Sequence, residues 1–88
     1  MSGKAAELKF PREWEFRLVV DCGAADEVKA ALQTLDAEEK AGFSVADGES
    51  SSGGKYRTLR VGCIVPSMDR ARELAGRLGR IPGVKFMV

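Results

Sequence analysis

The clearest pattern in the chain is the alternation across Trp14-Glu15-Phe16-Arg17-Leu18-Val19-Val20. Side chains of an extended segment point to opposite faces in turn. Trp14, Phe16, Leu18 and Val20 therefore share one face, and Glu15, Arg17 and Val19 share the other. Phe10-Pro11 punctuates the chain before this strand, because proline fixes its own φ and biases its predecessor towards extended geometry. Cys22-Gly23 ends it. Between residues 25 and 36 the period changes. Val28, Ala31, Leu32 and Leu35 fall at i, i+3, i+4 and i+7, the apolar stripe of an amphipathic helix. Asp26 and Glu27 lie at its start, where acidic groups suit the positive end of the helix dipole, and Asp26 is placed to pair with Lys29.

Beyond Gly42 the pattern predicts a short strand, Phe43 to Ala46, then a Ser/Gly-rich turn or loop from Asp47 to Gly54. A longer strand follows from Lys55 to Val65. It places Leu59, Val61, Cys63 and Val65 on one face and Tyr56, Thr58, Arg60, Gly62 and Ile64 on the other. The two strands read as a hairpin. Pro66 stops the second, and Ser67 is positioned to cap a helix carrying Met68, Ala71, Leu74, Ala75 and Leu78 at helical spacing. Glu73 and Arg77 form an i,i+4 pair on its surface, and Gly79 is expected as its C-terminal cap. A last strand, Val84 to Val88, is expected to send Val84, Phe86 and Val88 inward.

The order is β-α-β-β-α-β. Right-handed crossovers put both helices on one face of an antiparallel sheet of strand order 4-1-3-2. The expected fold is therefore α+β, a βαββαβ two-layer sandwich. Its core is Trp14, Phe16, Leu18, Leu32, Leu35, Leu59, Val61, Leu74, Leu78 and Phe86.

Composition narrows the function. Eighty-eight residues, 44% hydrophobic and 31% charged, suit one globular domain. It is read as residues 10–88 behind a flexible N-terminal tail at residues 1–9. The chain has no apolar run of the ~20 residues a membrane span needs. Met1 to Leu8 is polar and unlike a signal peptide, so a cytoplasmic protein is expected. Fourteen basic and 13 acidic residues leave a net charge of +1, without the one-signed excess that phosphate neutralisation demands of nucleic-acid binders. The chain has no His, which removes the commonest general base and the commonest metal ligand. Cys22 and Cys63 show no Cys-x-x-Cys spacing. They are placed at opposite ends of the sheet, too far apart for a disulfide, and read as small buried hydrophobes. No metal or cofactor is expected. No nucleophile–base motif accompanies the carboxylates Glu13, Glu15, Asp21, Asp26 and Glu27, so an enzyme is not expected.

Two places remain for binding. Ser50-Ser51-Ser52-Gly53-Gly54-Lys55 offers hydroxyls, backbone N–H groups and an ammonium to a small anion such as a phosphate or carboxylate. It lacks the Gly-Lys-Ser/Thr ending of a P-loop and enters a strand rather than a helix, so it also reads as a plain hairpin connection. Tyr56, Thr58 and Arg60 share the uncovered sheet face with Arg17 and Lys85. RNA-recognition modules of this topology stack bases on two central-strand aromatics, but here only Tyr56 stands there. A solvated or dimer-forming face fits better, with Val19, Ile64 and Met87 as apolar contacts. Arg70, Arg72, Arg77 and Arg80 make the second helix basic, either as a solvated face or for an acidic protein partner.

Several short motifs in sequence order resemble the YbeD-like family of functionally uncharacterised bacterial proteins, also described as domain of unknown function 493. They are Leu8-Lys9-Phe10-Pro11, the aromatics Trp14 and Phe16, Ser51-Ser52-Gly53-Gly54-Lys55-Tyr56-Arg57-Thr58, Leu78-Gly79-Arg80-Ile81 and the closing Val84 to Val88. Thr58 stands where Ser is usual in that family, which keeps the hydroxyl. The resemblance covers residues 8–88 and implies a ferredoxin-like fold reminiscent of the small-molecule-binding ACT domains. It supplies no activity. Asp21-Cys22-Gly23-Ala24-Ala25 lacks the Pro-Gly turn of the usual ACT ligand loop. The expected function is a non-catalytic regulatory or protein-interaction module, with a homodimer or another protein as partner. Small-anion binding at Ser51, Ser52, Gly54 and Tyr56 is the alternative, and weak RNA binding on the Tyr56, Thr58 and Arg60 face is a second.

Overall fold

The computed structural model describes residues 9–50 and 53–87. Strand β1 (Arg12–Asp21) leads through a single 3-10 turn into helix α1 (Ala25–Glu39). Strands β2 (Ser44–Ser50) and β3 (Tyr56–Val65) form the hairpin, followed by α2 (Met68–Gly79) and β4 (Val84–Met87). The four strands make one antiparallel sheet in the order β2-β3-β1-β4. This is the expected α+β sandwich, and it is consistent with a ferredoxin-like fold. Among the described residues no helix is long and apolar enough to cross a membrane.

The alternation on the two central strands builds the core. Arg12 to Asp21 pair without interruption against Val65 to Tyr56. Phe16, Leu18 and Val20 therefore line up with Val61, Leu59 and Arg57, and the apolar members are buried on the helix side. Val28, Leu32 and Leu35 of α1 and Ala71, Leu74 and Leu78 of α2 pack down on them, with Ala25 and Ile81 at the margins. Leu18, Leu59 and Leu78 have no exposed surface, and each such side chain contributes roughly 1.5–3 kcal/mol of apolar burial. Trp14 is half-buried at the edge of this cluster, where Phe10 stacks on it at 6.4 Å between ring centroids. The Arg12 guanidinium lies 5.6 Å from the Trp14 ring centre. Cys63 is buried, whereas Cys22 is only half-buried, at the opposite end of β1 from the strand's contact with Cys63. Burial pushes the Cys63 thiol above its ordinary pKa.

Several element ends differ from the sequence expectation. Helix α1 continues three residues past Asp36, since Ala37-Glu38-Glu39 keep helical geometry until Lys40 turns left-handed at φ 52°. The Asp36 carboxylate then accepts the Gly42 N–H at 2.7 Å and holds the exit of the turn. Strand β2 runs on to Ser50, so half of the expected loop belongs to the sheet, with a register shift between Asp47 and Ser50. Gly79 is the last residue of α2 rather than its cap; Arg80 takes that position, and the left-handed residue is Gly83 at φ 99°. Ser67 caps α2 as expected, its Oγ accepting the Arg70 N–H at 3.2 Å.

The largest correction concerns β4. Phe86 is not in the core but 58% exposed. A register shift between Val19 and Val20 inserts an extra residue into the β1–β4 pairing, with Val19 opposite Phe86 and Val20 opposite Val84. The bulge reverses the facing of the strand after Val84. Phe86 consequently shares the face of Val19, and Met87, expected on that open face, packs against the core instead. Val88 lies outside the described residues.

The turn before β4 depends on Gly83. A methyl group there would sit 3.0 Å from both Ala24 Cβ and Val28 Cγ2, at a φ that side chains rarely adopt. Gly83→Ala is expected to destabilise the fold by about 1–3 kcal/mol, read as a lower urea midpoint. Gly76→Ala, in open space within α2, is expected to leave it unchanged or raise it slightly.

Candidate interaction face

The helices cover one face of the sheet and leave the other open. Alternation puts Glu13, Glu15, Arg17, Val19 and Asp21 of β1 on that open face beside Ile64, Gly62, Arg60, Thr58 and Tyr56 of β3. Ser44 and Ala46 continue it across β2, and Phe86 across β4. Of the positions singled out from the sequence, Tyr56, Thr58 and Arg60 stand together here, as expected, with Arg17 opposite Arg60. Lys85 pairs with Asp21 at 3.4 Å along the same end.

The centre of the face is an ion triad. Arg17 and Arg60 are directly opposed across the two central strands, and Glu15 sits between their guanidiniums. Arg17 Nε reaches Glu15 Oε1 at 3.3 Å, and Arg60 Nε reaches Oε2 at 3.4 Å. Like charges placed directly across a ladder are unfavourable, by tenths of a kcal/mol to about 1. One carboxylate offsets this by contacting both. The Glu15 carboxyl is held below its ordinary pKa, first by the hydrogen bond from Arg17, against partial desolvation, and then by the charge and hydrogen bond of Arg60. Sequence reasoning placed Glu15 among undistinguished strand-surface carboxylates. Its role depends on the β1–β3 register.

Apolar surface flanks the triad. On one side Phe86 (58% exposed) and Val19 share a row with Thr58; on the other Ile64 is also 58% exposed. Tyr56, at 38%, is the aromatic nearest the hairpin. At the Ile64 end a cleft of about 630 Å³ is lined by Glu13, Trp14, Glu15, Ser44, Gly62 and Ile64, among others. Gly62, without a side chain, lies between Glu15 and Ser44 in the register.

Ser51 and Ser52 lie outside the described residues. Gly53 and Gly54 have φ of 86° and 71°, so turn geometry alone accounts for both glycines. The Lys55 carbonyl accepts the Cys22 N–H at 3.0 Å and ties the loop to the end of β1. The arginines of α2 are largely turned to another task. Arg70 Nη1 donates to Glu39 Oε1 at 2.8 Å and to Glu73 at 2.6 Å, and Arg70 Nη2 donates to the Glu39 carbonyl at 2.9 Å. Arg77 pairs with Glu39 at 3.0 Å rather than with Glu73. The hydrogen bond to Glu39, followed by that to Glu73, raises the Arg70 pKa further above its ordinary value. These contacts join the C-terminal end of α1 to α2. Lys29 likewise pairs across to Asp47 of β2 at 3.0 Å, not with Asp26. Among the described residues no three His, Cys, Asp or Glu side chains form a group that would hold a metal ion.

Known proteins share this architecture. The sequence matches the family described as "Protein of unknown function (DUF493)" over residues 5–88. A solution structure of protein HP0495 from Helicobacter pylori superposes with a TM-score of 0.74 at 16% identity, covering 100% of this chain and 94% of that one. A second solution structure of HP0495, described as a hypothetical protein, gives 0.68 at 16% identity over 96% and 99%. The C-terminal domain of the MgtC protein from Mycobacterium tuberculosis gives 0.69 at 15% identity, covering 93% of this chain and 88% of that domain. At these identities the likeness is one of fold. No curated protein sequence matches the chain.

The triad has a titration signature. Because its folded pKa is lowered, ionised Glu15 contributes stability that is present above the ordinary glutamate value. That contribution is lost as pH falls through the lowered folded value. Arg60→Gln and Arg17→Gln are each expected to move the Glu15 carboxyl resonance midpoint upward in an NMR titration, Arg17→Gln more. An unmoved midpoint in both would mean that Glu15 is not held by the pair.

Proposed function

We propose that this chain, which belongs to the DUF493 family, serves as a non-catalytic interaction module that docks another protein on the open face of its sheet. The observation that carries this reading is the outward Phe86. A bulge in β1–β4 pairing turns a large aromatic to solvent beside Val19, although an unbroken register would bury it. Single exposed apolar side chains are ordinary on protein surfaces. Here Phe86, Ile64 and Tyr56 are exposed on one face around a central charge cluster, the mixture of aromatic, aliphatic and arginine side chains that protein interfaces favour.

The RNA reading has less support. It would need stacked aromatics on the two central strands. Tyr56 stands opposite Asp21 in the β1–β3 register, at the end of the central strands, and Phe86 lies on the outer strand β4. Three carboxylates, Glu13, Glu15 and Asp21, share the face and disfavour a polyanion.

The test is site-specific photocross-linking in the native cell. A benzoylphenylalanine in place of Phe86 or Ile64 is expected to trap a discrete protein adduct, whereas one in place of Arg72 on the exposed side of α2 is expected to trap none. Adducts that are absent at both open-face positions, or equal at all three, would remove this reading. Both open-face side chains are already exposed, so the substitutions are expected to change stability by no more than about 0.5 kcal/mol.

A further inference from the structure

We propose that the opposed guanidiniums of Arg17 and Arg60 form a carboxylate clamp, with Glu15 as its built-in competitor, and that the occupant of the open face is an extended segment of another protein carrying a single carboxylate between apolar residues. This rests on the docking face described above and assigns its recognition chemistry.

Three observations converge. Both arginines spend only Nε on Glu15. Both hydrogen bonds to Glu15 are made through Nε, so holding Glu15 does not use the Nη groups of either arginine. A guanidinium carries five N–H donors in a fixed fork, suited to a carboxylate held bidentately. Two such forks at directly opposed positions stand within side-chain reach of one incoming carboxylate. The triad carries one positive charge more than it neutralises, which leaves room for a single further anion.

Geometry then defines the segment. The row of Val19, Thr58 and Phe86 lies two residues along β1 from the Arg17–Arg60 row, and the Glu15–Gly62–Ser44 row lies two residues the other way. An extended chain repeats its side chains on one face every ~6.6–7 Å, the same spacing. A carboxylate over the arginines thus places the side chain two residues on against Phe86 and Val19. The side chain two residues back faces the cleft beside Gly62 and Ile64.

A second copy of this chain fits less well. A two-fold face-to-face pairing would bring two net-positive triads together near its axis. Strands of ten, seven, ten and four residues at ~3.3 Å per residue and ~4.8 Å apart also give a face of only roughly 500 Å². A standard stable interface takes ~800 Å² from each partner. Both arguments favour a short, charge-steered segment.

The experiment is an NMR titration of the full chain with a capped synthetic peptide in which Leu, Glu and Phe alternate with Ser. The same peptide with Gln for Glu and an oligouridylate RNA serve as comparisons. The Glu peptide is expected to shift the Arg17 and Arg60 Nε resonances together with the Phe86 amide. The Gln peptide, and the Glu peptide on Arg17→Gln or Arg60→Gln, should bind roughly fivefold or more weakly, with the difference shrinking as salt rises. Glu15→Gln should tighten the Glu peptide by about threefold or more by removing the competitor; a merely structural Glu15 would weaken it or have no effect. Equal binding of Glu and Gln peptides, silent arginine resonances, or no gain from Glu15→Gln would overturn the clamp. Tighter RNA binding at the same arginines, or shifts there on simple dilution of the chain, would overturn it in favour of a phosphate backbone or a second copy. Cross-links at Phe86 and Ile64 that persist while the clamp fails would leave the docking face standing with a different recognition chemistry.

Discussion

The structure depends on the burial of one face of β1 and β3 under two helices. Phe16, Leu18, Val20, Leu59, Val61, Cys63 and Val65 alternate inward along two fully paired central strands, and the apolar stripes of both helices pack on that face. With period two, this commitment fixes the opposite side chains as well. Glu15, Arg17, Arg60 and Ile64 face outward because their neighbours face inward. The open face is therefore a by-product of core formation in its placement, though its composition is free to serve another purpose.

The charge distribution shows the same division. Behind the sheet, Glu39 gathers Arg70 and Arg77 into a partly buried latch between the two helix ends. Those contacts are saturated: the Arg70 guanidinium meets two carboxylates and a carbonyl. On the open face one carboxylate is shared by two exposed guanidiniums at longer distances. The first arrangement holds helices together. The second does not use the Nη groups to hold Glu15, on the face where apolar side chains are also exposed.

Neither edge of the sheet rivals that face. Strand β4 has only four residues and begins in a bulged pairing, a common way of blunting an edge. Strand β2 is longer but irregular between Asp47 and Ser50, with Asp47 engaged by Lys29 and Arg57 from the helix side. The Ser/Gly stretch is correspondingly shorter than its composition suggested, since backbone pairing to β3 extends the strand into it.

What the sequence by itself determined was whatever depends on local periodicity. The element order, the strand order, the inward residues of β1 and β3, the helix stripes and the Ser67 cap all follow from repeats of 2 and 3.6 and from turn chemistry. Tyr56, Thr58 and Arg60 on one open face were legible for the same reason. What only the tertiary structure decided was whatever depends on register between distant segments. A one-residue bulge turns Phe86 outward and Met87 inward, and no local pattern in Val84 to Val88 signals it. The pairing of Arg17 with Arg60, and hence the place of Glu15 between them, needs β1 aligned to β3 across 42 residues of intervening chain. Glu39 acquires its arginines only when α2 docks beside α1. Periodicity assigns a side chain to a face, but its neighbours on that face are chosen by how separate elements slide into contact.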